Sequence, residues 1–138
     1  VRVRDVENPA REGITLEFSC NDPGGADCAT SGYQVPSGKR LVVEQAFAHV
    51  VVPAGQSVLV SLRHPTILDS HYLDMQRQGT FGTLDVFTAA RAARMYVNAG
   101  DTILAHASRS SFQGNLFLEV RLAGYLLDCG PGGGCPVP

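Results

Sequence analysis

His64, Asp69, His71 and Asp74 stand close together in the stretch "RHPTILDSHYLDMQRQG" (63–79). Two imidazoles and two carboxylates are groups that a divalent cation accepts. Their spacing matches no established ligand frame such as His-Glu-x-x-His, and a polar surface connection carries such residues without holding anything. No metal is expected there, and His64 and His71 remain as candidate binding residues. "NDPGGAD" (21–27) offers Asn21, Asp22 and Asp27, oxygen ligands of the kind Ca²⁺ takes. An Asx turn within a closed loop explains them equally well. No cofactor is expected.

Nucleophilic catalysis finds little support. The Gly-x-Ser-x-Gly elbow is missing, and oxidised cysteines would leave no thiol for attack. Glycoside hydrolysis requires two carboxylates across a cleft. Glu17, Glu44 and Glu119 sit in strand-like patterns, and nothing in the sequence makes them converge. His49 and His106 each stand alone on their strands, without the His-x-His of a cupin metal site. The expectation is a protein that is not an enzyme.

Binding is the stronger expectation. In "NLFLEVRLAGYLL" (115–127), Phe117 and Tyr125 project from the polar face beside Glu119 and Arg121. Aromatic rings next to a charged pair suit a sugar ring or a subunit contact. The chain has no Trp, the aromatic best suited to either role.

The four cysteines form two short-range pairs, Cys20 with Cys28 and Cys129 with Cys135. Neither spacing is Cys-x-x-Cys and no His accompanies them, so disulfides are expected rather than zinc. Four cysteines allow three pairings, of which local pairing is the expectation. An oxidising compartment follows, extracellular or periplasmic. The sequence begins at Val1 with no signal-like segment, as a mature exported chain would.

The elements that must position these residues are strands. From 115 to 127, Leu116, Leu118, Val120, Leu122 and Leu126 alternate with polar neighbours, the period of a half-buried strand. "QSVLVSLRH" (56–64) repeats the rule, with only Leu59 breaking it. "RLVVEQAFAHVVV" (40–52) is apolar on both faces, which demands a cover on each side. Further strands are expected at 1–6, 13–20, 30–35, 80–88, 93–97 and 102–108. "FTAARAARM" (87–95) reads as strand with an irregular start despite its alanines. The 63–79 stretch reads as one long connection. "VPSG", "VPAG" and "VNAG" (35–38, 52–55 and 97–100) read as corners between strands, where Pro or Asn starts a turn and Gly closes it.

With 138 residues, 17% charged and 15 Gly, the chain suits an all-β domain. The expected fold is an antiparallel β-sandwich, most simply a jelly roll of about eight strands, over 1–138 with short tails at 1–8 and 129–138. A net charge of −2 with scattered basic residues excludes strong attraction to nucleic acid. No apolar run is long enough for a membrane span.

"VPSGKRLVVE", the repeated corners and the closing "LAGYLLDC" resemble a loose group of exported bacterial β-sandwich proteins, over roughly residues 30–129. That resemblance implies export and fold, and transfers no site. The functional expectation is a secreted, non-catalytic structural subunit. It would self-assemble as a homo-oligomer or filament, or bind another extracellular protein, through strand faces and tails. A glycan-binding, lectin-like module is the alternative.

Overall fold

In a computed structural model, residues 2–4, 11–64 and 67–129 are described. Eleven strands run through them: β1 (Arg2–Arg4), β2 (Arg11–Asp22), β3 (Asp27–Ala29), β4 (Tyr33–Gln34), β5 (Lys39–Pro53), β6 (Val58–His64), β7 (Ile67–Leu73), β8 (Gln76–Phe81), β9 (Leu84–Asn98), β10 (Thr102–Arg109) and β11 (Leu116–Asp128). Every pairing is antiparallel. A six-stranded sheet has the order β1-β2-β11-β5-β9-β8, and a second sheet has the order β3-β10-β6-β7 with β4 also on β10. The two sheets share one apolar core, making a β-sandwich.

Alternation decides which face is buried. On β11, Leu116, Leu118, Val120, Leu122 and Leu126 are buried, as their period requires. On β6, Val60 and Leu62 point inward while Leu59 is exposed. The double-sided apolar pattern of 40–52 has a different origin from the one expected. Leu41 and Val43 face the core, then Glu44 is an extra residue at a bulge, and Ala46, Ala48, Val50 and Val52 resume the inward set. The phase shift puts Val42, Phe47 and Val51 on the outer face, where Val42 is covered as expected, Val51 is half-buried and Phe47 is exposed.

The repeated corners are structural. Gly38, Gly55 and Gly100 have φ of 75°, 92° and 84°, a left-handed region that glycine occupies without a Cβ penalty. The first and third corners clasp each other: Val35 accepts from Gly100 N–H and donates to Asp101 O, both at 2.9 Å.

Several expectations change. Among the described residues there are eleven strands rather than about eight, and in place of the one expected at 30–35 stand two short pieces, β3 and β4, separated by residues 30–32. The 63–79 connection contains β7 and β8, which are edge strands; polar side chains are how sheet edges resist further pairing, so the stretch imitates a loop. The strand expected at 80–88 is broken by a hairpin at 82–83, after which β9 runs continuously through "FTAARAARM". The N-terminal tail, expected to dock on a neighbour, pairs within its own chain, with Arg2 opposite Ile14.

Cys20 and Cys28 form a disulfide that joins β2 in one sheet to β3 in the other, with Cα atoms 6.2 Å apart. Cys129 is also disulfide-bonded, while Cys135 lies outside the described residues. Among the described residues no helix is long and apolar enough to cross a membrane.

Candidate functional site

Two bulges shape the outer face of the six-stranded sheet. Register shifts occur between β5 and β11 at Ala123/Gly124 and between β5 and β9 at Val43/Gln45. Small residues collect on that line. Ala123 pairs with Thr15 and Gln45, and Gln45 pairs with Ala92. Gly124 is obligatory: a Cβ there would lie 1.9 Å from Val42 O.

With little side-chain bulk along this row, the sheet carries three adjoining open depressions of about 490, 460 and 520 Å³. The first two share Thr15, Gln45 and Ala123; the last two share Ala90 and Arg91. Together they cross β2, β11, β5, β9 and β8. Five strands at ~4.8 Å spacing make this groove roughly 20 Å long. Phe47, 39% exposed, and Arg121 line its middle section.

The predicted binding residues are partly united. Phe117, Glu119, Arg121 and Tyr125 share this outer face, but only Arg121 lines the groove. Arg121 lies 3.3 Å from Glu119 and 3.5 Å from Glu17. Phe117 is half-buried and meets His49 edge-on, with ring centroids 6.3 Å apart. Tyr125 cannot offer both faces, because the Arg11 guanidinium lies 4.5 Å from its ring centre. His71 stands elsewhere, lining a cleft between β7 and β9. The side chains of His64 and Asp69 lie outside the described residues.

Sequence reading missed Thr15, Gln45, Phe47, Ala92, Ala123 and Arg91. The available signal was Phe47, an aromatic in a strand where a bulge changes phase at Glu44.

Other clusters are satisfied locally. Asp22 Oδ1 accepts from the N–H groups of Gly24 and Gly25 at 3.1 and 2.8 Å, an Asx turn. Among the described residues no group of three His, Cys, Asp or Glu is placed to hold a metal ion. On the other sheet, Asp27 Oδ1 accepts from Ser108 Oγ at 2.9 Å and lies 3.3 Å from His106 Nε2. Ser108 thus donates its hydroxyl to the carboxylate, whereas a nucleophilic serine donates to histidine. Burial pushes the His106 imidazole below its ordinary range, with nearby Arg63 adding to the effect; exposed Asp27 opposes both without prevailing.

Glu17 and Glu119 do converge, contrary to expectation, but with Arg121 between them. A glycosidase acid needs a protonated carboxyl against apolar surface, and the Glu17 side chain is 68% exposed.

No protein-family model matches this sequence, and no curated protein is significantly similar to it.

Proposed function

We propose that the protein is a non-catalytic exported module that binds an extended glycan across the outer face of its six-stranded sheet. The observation that carries this reading is the continuous groove from β2 to β8. A transverse channel floored by small residues suits a chain of flat rings, for which Phe47 offers a stacking surface and Gln45 and Thr15 offer hydrogen bonds. The Cys20–Cys28 disulfide supports an oxidising compartment. We read the order β2-β11-β5-β9 against β3-β10-β6-β7 as a jelly roll, two Greek keys interlocked.

Affinity electrophoresis through gels containing different polysaccharides tests this. Retardation by at least one polysaccharide, abolished in Phe47→Ala and Ala123→Arg, is the expected result. Mobility unchanged by every polysaccharide would overturn it.

Self-assembly is the second reading, favoured by a different end of the sandwich. Phe81, at the β8–β9 hairpin, and Phe112, in the β10–β11 connection, are 63% and 69% exposed. With the N-terminal tail paired in its own chain, such loops are the surface on which assembly would rest. A native mass of one chain would dismiss it.

A further inference from the structure

Beyond β8, which pairs only with the Leu84–Thr88 part of β9, the rest of β9 is the edge of its sheet and faces β7, the edge of the other. Between them opens a cleft of about 310 Å³, with Leu62, Leu73 and Met95 at its floor and Arg91, Arg94 and His71 around it. Arg91 borders two of the groove's depressions as well as the cleft, and its side chain, opposite core-facing Ala46 in the register, turns to the cleft side at this edge of the sheet.

The arginines of this molecule differ in their partners. Arg77 and Arg121 lie beside carboxylates, and Arg11 covers Tyr125. Arg91 donates to Tyr72 O at 3.3 Å, a neutral partner, through one of its nitrogens. Among the described residues, neither Arg91 nor Arg94 forms a salt bridge with a carboxylate. Among the described residues that line the cleft none is acidic; Asp74 lines the neighbouring depression. Two guanidinium groups beside an apolar floor present a forked set of donors to an anion.

We propose that the glycan accepted by the groove is acidic, and that Arg91 and Arg94 receive its anionic substituent, a uronate carboxylate or a sulfate ester. This inference rests on the glycan-binding reading and adds the class of glycan. Charge-assisted hydrogen bonds of this kind correspond to about tenfold or more in affinity.

The test is calorimetric titration with three oligosaccharides of equal length: an oligogalacturonate, a sulfated galactan oligomer and a neutral galactan oligomer. Wild-type protein should bind one acidic oligomer about tenfold or more tighter than the neutral one, and added salt should narrow that gap. The preferred acid distinguishes carboxylate from sulfate. Arg91→Gln/Arg94→Gln should remove the preference, and Arg94→Lys should keep part of it, since charge survives but the planar fork does not. Both side chains are exposed, so unchanged thermal unfolding of the variants checks the fold. Equal binding of neutral and acidic oligomers, or a preference that survives the double substitution, would overturn this inference and leave the groove reading standing. Absence of binding to all three, together with unchanged mobility in every polysaccharide gel, would overturn both.

Discussion

Gly55 donates its backbone N–H to Asp85 Oδ2 at 2.9 Å, tying the corner between β5 and β6 to a carboxylate on β9. Asp85 is buried, and its other oxygen accepts from Thr80 Oγ1 at 2.5 Å and from Arg77 at 3.2 Å. The Thr80 hydroxyl contributes most, then the Gly55 N–H and Arg77, to hold this carboxyl at about 2, below the ordinary 3.8.

The folded-state value lies below the unfolded one, so the stabilisation is fully present above about pH 4 and is lost as pH falls towards 2. Urea unfolding from pH 6 to pH 2 should show wild type losing stability more steeply than Asp85→Asn in that window. Parallel curves would show that the carboxylate makes no such contribution.

Arg109 is buried and holds three connections at once. It donates to Gly25 O at 2.9 Å, Gln56 Oε1 at 3.3 Å, Gln113 O at 3.2 Å and Gly114 O at 2.7 Å. Arg109→Met leaves these acceptors short of donors. A loss of about 3 kcal/mol or more is expected from denaturant unfolding.

Gly124→Ala should be among the most damaging single changes in β11. Its Cβ would collide with the Val42 carbonyl, which is backbone and cannot rotate away. We expect a loss of about 3 kcal/mol or more, with Gly24→Ala, where a Cβ meets nothing within 4 Å, as the mild control.

Cys20→Ser/Cys28→Ser opens a link across a separation of eight residues. Loop-closure entropy for so short a loop predicts a loss of about 2.5 kcal/mol. Comparing the thermal midpoints of the variant and the oxidised wild type checks this.

Alternation made β11 and β6 legible in the sequence because each turns one apolar face to the core. The Val-x-x-Gly corners were legible because the turn chemistry lies in the residues themselves. The groove was not, because it depends on an extra residue at Glu44, and a bulge leaves no mark in composition. Thr15, Gln45, Ala92 and Ala123 look unremarkable singly and form a channel only through the cross-strand register. Arg91 and Arg94 were hidden for a related reason: their role depends on β8 ending early, which exposes β9 opposite β7. Phe117 and Tyr125 were placed on the correct face, but the contacts with His49 and Arg11 are long-range and carry no local signal.

The most direct test of the central claim is to titrate the isotope-labelled protein with a bound oligosaccharide and follow its backbone amides by NMR. The account predicts shifts concentrated at Thr15, Gln45, Phe47, Ala90, Ala92 and Ala123, in a band crossing the strands. Shifts confined to the Phe81 and Phe112 end, or to the outer face around Asp27 and His106, would contradict it.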